Sequence, residues 1–183
     1  MIDLVTPGQL NGGESAIYHD AIANALRLPF GEDRARVVHE AFDWLRTKWM
    51  HRNRTKGKGV DCGNFPLGVW IGAGLIPVST ELLIYNADFY LHSKEEKFRD
   101  AVEVYCDRLG IVDTMPGDLV GFQFTPGCPS ICHVAIVVMD DHIIHARGGA
   151  FSKDGAVELG SLRGSYLKMF SGVWRFRQWN DAH

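Results

Sequence analysis

Apolar positions along the chain follow two regimes, and the change falls near Gly110. Before that point they recur every three or four residues, the period of a helix with one buried side. Ser15 to Leu28 sets Ile17, Ala21, Ala25 and Leu28 on one side, and Pro29 with Gly31 ends the helix. Glu32 to Trp49 carries Val37, Val38, Ala41, Phe42 and Leu45 as a stripe, which predicts a second helix. A third, short helix is expected over Asp61 to Gly74. Pro66 fits a helix only in the first turn, so this one begins at or near Cys62. Ser93-Lys94-Glu95-Glu96 has capping-box spacing and opens a fourth helix, with Phe98, Ala101, Val102, Tyr105 and Leu109 on one face and Gly110 past its end.

Beyond Gly110 the period is two. Asp118–Phe124, His133–Met139, His142–Arg147 and Gly172–Phe176 read as strands. Between the periodic stretches lie a Gly- and Pro-containing arm (residues 1–13), an irregular segment from Ser79 to Leu91, and the loop His51–Gly59, in which four of nine residues are Arg or Lys. Helices first and antiparallel strands afterwards predict an α+β fold, with amino-terminal helices packed on one face of an antiparallel sheet. Residues 1–31 form an arm and helix ahead of a main domain over 32–183.

Composition narrows the function. The 183 residues carry 19 Lys plus Arg and 22 Asp plus Glu, a formal charge of −3, so no global charge favours a nucleic-acid partner. The amino terminus, Met1-Ile2-Asp3-Leu4, has neither the basic nor the apolar region of a signal peptide. The longest aliphatic run, Val134–Met139, is far short of the ~20 residues of a membrane helix. These features predict a chain synthesised in the cytoplasm without a membrane partner. Cys62, Cys106, Cys128 and Cys132 make no disulfide framework, and free thiols are expected.

Among those thiols, Cys62 stands between the basic loop and a helix start. Cations and the positive helix end both favour thiolate, which predicts a pKa lowered from ~8.5 into the range ~3.5–7.5. A thiolate nucleophile needs a histidine to hold the ion pair and protonate the leaving amine. His133 opens a strand directly after a loop, where a ring can face a cleft. His145, twelve residues on, is the candidate to orient that ring. A two-residue Asp140-Asp141 turn would put the two histidines on opposite faces of their hairpin. A three-residue turn over Met139–Asp141 places Val138 opposite His142 and His145 opposite Ala135, on the face of His133 and diagonal to it. The pairing therefore predicts an odd-length or bulged turn.

The segments GVDCGNFPLGVWIGAGLI, PGDLVGFQF and HVAIVV…IIHA resemble the NlpC-type cell-wall peptidases, which are papain-like. WLRTKW ahead of the basic loop, and LHSKEEKFRDAVEVY between the cysteine helix and PGDL, are similar to the branch carried by tailed phages and gene transfer agents. The likeness covers residues 35–147. It implies a papain-like fold and a metal-free thiol peptidase without cofactor. Cys62 would be the nucleophile, His133 the base and acid, and His145 the orienting residue. The Cys62 backbone N–H would serve the oxyanion hole, and Asp61 would shape the site beside it. The implied substrate is the peptidoglycan stem peptide, and the implied setting is a virion tail tip, with tail-tip or baseplate proteins as partners, carried to the cell wall of the host. The family often has Ser where Gly63 stands and Tyr where Trp49 stands, so these two substrate-contact positions bear on which bond is cut. A structural tail-hub protein using the same fold, and an amidase of the same superfamily, are the alternatives.

Other signals are weaker. The Cys128-Pro129-Ser130-Ile131-Cys132-His133 spacing is only loosely that of a zinc half-site, with no second pair following. The basic loop reads as a solvated surface before an anion-binding one. Trp70, Trp174 and Trp179 read as packing residues, and Cys106 as a structural thiol in the fourth helix.

Overall fold

A computed structural model of the chain describes residues 6–86, 95–110, 114–124, 130–149 and 152–179. Helix α1 spans Gly12–Leu26 and starts on a capping box: the Glu14 N–H donates to Asn11 Oδ1 at 3.0 Å, and the Asn11 N–H donates to the Glu14 carboxylate at 2.9 Å. Its buried side, Tyr18, Ala21 and Ala25, belongs to the same core as α2, Gly31–Asp43. The second helix stops earlier than its apolar stripe suggests. Arg46 takes a left-handed conformation (φ 66°), and the chain leaves the helix to pair with a strand. Arg46 N–H donates to the Val157 carbonyl (2.9 Å), Val157 N–H to Thr47 (2.8 Å) and Trp49 N–H to Gly155 (2.7 Å). A sheet edge with unpaired groups outcompetes helix propensity here.

The basic loop holds two short strands, β1 (Arg54–Thr55) and β2 (Gly59–Val60), paired antiparallel. Helix α3 follows at Asn64–Gly72, with Pro66 in its first turn. Helix α4 is short, Lys97–Glu103, and buries Phe98 and Val102. The expected helical stretch beyond it is instead strand β3, Cys106–Gly110, because the free side of the last strand takes it as a partner. Cys106 is therefore a buried strand residue. Ser93 and Lys94 of the expected capping box lie outside the described residues.

Strands β4 (Leu119–Phe122), β5 (His133–Met139), β6 (His142–Gly149), β7 (Ser152–Ser161) and β8 (Phe170–Phe176) complete a six-stranded sheet ordered β3-β8-β4-β5-β6-β7. Its pairs are antiparallel throughout. Helix α5 (Ser165–Met169) and a single turn at Arg177–Trp179 flank β8. Strand β7 and α5 were not expected from periodicity.

Alternation sorts the sheet into two faces. Leu119, Val134, Ile136, Val138, Ile144, Ala146 and Trp174 join α1, α2 and α3 in the larger core. Val120, Phe122, Ala135, Val137, Ile143 and Val173 form a smaller core on the other face, covered by Leu162, Tyr166, Met169 and Phe170. One buried ionic cluster links the layers: Arg34 of α2 donates to Asp118 at 3.2 Å and to the Pro116 carbonyl at 2.7 Å, while Arg175 of β8 holds both Asp118 oxygens at 2.9 and 2.7 Å. Among the described residues no helix is long and apolar enough to cross a membrane.

Candidate active site

The β5–β6 hairpin sets the histidines. Met139 pairs with His142, Val137 with Ile143 and Ile136 with Ile144, so Val138 is an extra residue in a bulge. The turn itself is the two residues Asp140-Asp141, with Asp140 at φ 42°. The bulge does what a three-residue turn would have done. It shifts the register by one and brings His145 opposite Ala135, onto the face of His133. The two rings meet edge to face, with His133 Nε2 and His145 Nδ1 2.7 Å apart. Phe122, Phe124 and Tyr166 pack around the His133 ring. Burial first, then the neighbouring His145 and Arg147, push His133 well below the ordinary histidine range. Burial, then Arg147, lowers His145 to about 4.

Cys62 precedes α3. The helix begins at Asn64, whose N–H donates to Asp61 Oδ1 at 2.9 Å, and Cys62 lies in the turn ahead of it rather than inside the helix. Fully buried Asp61 also accepts the Asn64 side-chain amide at 3.0 Å and the Arg52 N–H at 2.6 Å, with His51 Nδ1 3.7 Å away. The sulfur of half-buried Cys62 lies 3.8 Å from the Tyr85 hydroxyl and 4.0 Å from the carbonyl oxygen of Cys132, the residue directly before His133. Among the described residues no hydrogen bond joins the thiol to the His133 ring, and the N–H groups of Cys62 and Gly63 donate to no other residue.

The expected low thiol pKa is reversed. Burial, then the Asp61 carboxylate, pushes the Cys62 thiol up to about 12. The reason lies in where the loop's cations point. Arg52 donates to the Tyr85 carbonyl (3.1 Å) and the Asn86 side chain (3.0 Å). Arg54 donates to the carbonyls of Glu81 (3.1 Å) and Thr80 (2.5 Å). Lys56 pairs with Glu40 and Asp43. These cations clamp the segment 80–86 and the α2 helix, and none faces the sulfur. The clamped segment is the one that delivers Tyr85, whose ring packs edge-on against Phe98 and His51. Burial, the adjacent sulfur and Asp61 raise the phenol far above its usual range.

Gly63 is packed closely. A Cβ there would lie 2.9 Å from Phe98 and 3.0 Å from Leu83, so the absence of a side chain is a packing requirement and only its backbone is offered to the site. Trp49 is half-buried, stacked at 11° on His51 with centroids 6.1 Å apart, and backed by Gly148. It stands two rings away from the sulfur, through His51 and Tyr85. Cys132 is buried and accepts the Phe124 N–H at 3.2 Å, while Cys128 lies outside the described residues. Among the described residues no three His, Cys, Asp or Glu side chains gather as a metal site. Tyr85 was missed by the sequence reading, because it sits in a segment with no periodicity.

No protein-family sequence model matches the chain, and no curated protein matches it in sequence. Solved structures do match in shape. An NlpC/P60 family protein from Bacillus cereus ATCC 10987 superposes with a TM-score of 0.55 at 16% identity, over 78% of this chain and 40% of that one. The NlpC/p60 domain of the peptidoglycan hydrolase SagA gives 0.50 at 19% identity, over 77% and 96%. The peptidoglycan hydrolase RipB from Mycobacterium tuberculosis gives 0.50 at 15% identity, over 95% of each chain. The chain thus spans two-fifths of the length of the Bacillus protein. These likenesses make the fold that of the papain-like NlpC/P60 domains.

Proposed function

We infer that the chain is a cysteine peptidase acting on amide bonds of the peptidoglycan stem peptide, with Cys62 as nucleophile, His133 as base and acid, and His145 as the residue that orients His133. The observation that carries this reading is the 2.7 Å contact between the two imidazoles at the mouth of β5, beside a sulfur that lies 4.0 Å from the carbonyl preceding His133. The names of the neighbours with this fold, peptidoglycan hydrolases among them, support the substrate class.

In this reading the resting pair is neutral. As Cys62 Sγ bonds to the substrate carbonyl carbon, its proton passes to His133 Nδ1, and His133 then gives that proton to the leaving amine. Water, deprotonated by His133, cleaves the thioester and restores the thiol. The uncommitted N–H of Cys62 faces the oxygen on which charge develops. Trp49 and His51 line the approach, with Asp61 and the Gly63 backbone beneath it.

The resemblance of WLRTKW, the basic loop and LHSKEEKFRDAVEVY to phage and gene-transfer-agent sequences extends the proposal to a setting. There the enzyme is built in the cytoplasm into a tail tip, among baseplate proteins, and opens the host wall during DNA delivery.

Digestion of purified peptidoglycan by wild type and Cys62→Ala, read by mass spectrometry, tests the chemistry. A fall of at least about 10³-fold in the variant is expected, since losing a nucleophile removes the whole covalent route. Equal digestion by both proteins removes the reading. Fragment masses separate stem-peptide cleavage from an amidase cut at the glycan junction, and an inert wild type leaves the tail-hub alternative.

A further inference from the structure

His145 has a second nitrogen that the peptidase reading leaves unused. Among the described residues its Nε2 has no hydrogen-bond partner, although the ring is fully enclosed. On the adjacent strand Glu158 is the direct cross-strand partner of His145. One carboxylate oxygen, Oε1, lies 3.7 Å from that nitrogen. The same oxygen is held by Arg147 Nη1 at 3.3 Å. Gly160 leaves the space open: a Cβ there would stand 3.1 Å from His145 Nε2.

The tautomers decide what this contact does. One nitrogen of the 2.7 Å imidazole pair must donate. If His145 Nδ1 donated, its bare Nε2 would face a carboxylate oxygen, two acceptors against each other. His133 would then carry its proton on Nδ1 and could not take one from a thiol. If His145 Nδ1 accepts, its Nε2–H points at Glu158, and His133 is protonated on Nε2 with Nδ1 open. The carboxylate favours the second arrangement.

We propose that Glu158 is a positioning residue of the site: its carboxylate accepts the Nε2–H of His145, fixes the tautomer that leaves His133 Nδ1 as the base, and stabilises the charge that the imidazole pair acquires during reaction. This rests on the peptidase reading for its catalytic consequence, though not for the tautomer itself. The groups facing His145 are His133 from β5, Arg147 on its own strand, Glu158 from β7 and Tyr166 from α5. Of these Glu158 is the carboxylate nearest Nε2, and Arg147 opposes the positive charge that Glu158 favours. The half-exposed carboxylate needs only a small rotation to close from 3.7 Å, as site hydrogen bonds commonly do on substrate binding.

The test uses the full chain labelled with ¹⁵N-histidine, with Glu158→Ala and Glu158→Gln beside wild type. Long-range ¹H–¹⁵N spectra are expected to show His145 protonated on Nε2 in wild type, a mixed tautomer in Glu158→Ala, and retention in Glu158→Gln, whose amide oxygen still accepts. On peptidoglycan fragments, kcat of Glu158→Ala is expected to fall about tenfold, the worth of one charge-assisted hydrogen bond. KM stays unchanged, and the acid limb of the kcat profile moves to lower pH in both variants, because each loses the negative charge. A wild-type His145 protonated on Nδ1, or a Glu158→Ala protein with the wild-type tautomer and acid limb, overturns the proposal. If wild type cuts no wall peptide, the peptidase reading fails, while the tautomer change still decides the role of Glu158.

Discussion

At the scale of single residues, the site is organised around neutrality. Cys62 is raised to about 12 and His133 is lowered well below its usual range, both chiefly by burial. A thiol and an imidazole so placed do not form an ion pair at rest, and under the proposed peptidase function proton transfer would accompany attack. This predicts a measurable departure from thiolate enzymes. The rate of Cys62 alkylation by iodoacetamide, followed by peptide mass spectrometry, is expected to keep rising with pH beyond 9. A plateau reached below about pH 7.5 would mean a low-pKa thiolate and would sink the idea. The sign for stability follows. The folded-state pKa is raised, so the stability contributed by the protonated thiol is complete below the unfolded-state value and is lost as pH climbs toward about 12.

The residues legible in the sequence are those whose type and position along the chain declare them: a cysteine at a helix start and two histidines in adjoining strands. Tyr85, beside the Cys62 sulfur, and Glu158, proposed to position His145, escaped because each lies in an element without clear periodicity. For Glu158 the only local signal was Val157-Glu158-Leu159, an alternation bounded by Gly155 and Gly160.

At the scale of elements, the basic loop is a clamp. The guanidinium groups of Arg52 and Arg54 are spent on carbonyls and an amide of the segment 80–86, and Leu83 of that segment donates its N–H to Asn64 Oδ1 at 2.8 Å. Arg52→Ala with Arg54→Ala is therefore expected to speed hydrogen exchange across residues 80–86 while leaving α1 and α2 protected. The pair of partly exposed contacts that each arginine makes contributes about 1 kcal/mol in all, so exchange should quicken about fivefold per arginine. Unchanged exchange there would show that the packing of Leu83 and Tyr85 alone fixes the segment.

Charge counting foresaw a positive loop but not its direction, since sequence gives the number of cations and not the acceptors that claim them. The β5–β6 hairpin shows the opposite case. The requirement that two histidines share a face demanded an irregular turn, and the bulge at Val138 supplies it. The ends of α2 and α4 were misread because exposed strand edges, invisible to a local pattern, recruited residues 46–49 and 106–110.

At the scale of the whole molecule, the helical layer and the sheet are joined by hydrophobic burial and by one ionic cluster. Asp118 is fully buried at the start of β4 and receives Arg34 from α2, Arg175 from β8 and the Met115 N–H at 2.9 Å. Arg34, also buried, lies 4.4 Å from the centre of the Trp179 ring and donates to the Pro29 carbonyl at 3.1 Å. Desolvation lowers the Arg34 pKa and Asp118 opposes it, so the cation depends on that carboxylate. Such a pair contributes little compared with an apolar replacement of both partners, yet removing one partner leaves a buried charge uncompensated. Asp118→Ala is accordingly expected to cost about 3–5 kcal/mol in urea unfolding, a large share of the 5–15 kcal/mol typical of a folded domain. Asp107→Ala serves as the comparison, because its ion pair with Arg177 is half exposed and should contribute far less. Replacing Arg34 and Asp118 together by Met and Leu should recover part of the loss, since the fully buried Arg34 cation is gone and only the less buried Arg175 is left without its carboxylate. Equal destabilisation by Asp118→Ala and Asp107→Ala would mean that the layers are held by the apolar core alone, with the buried ions as passengers.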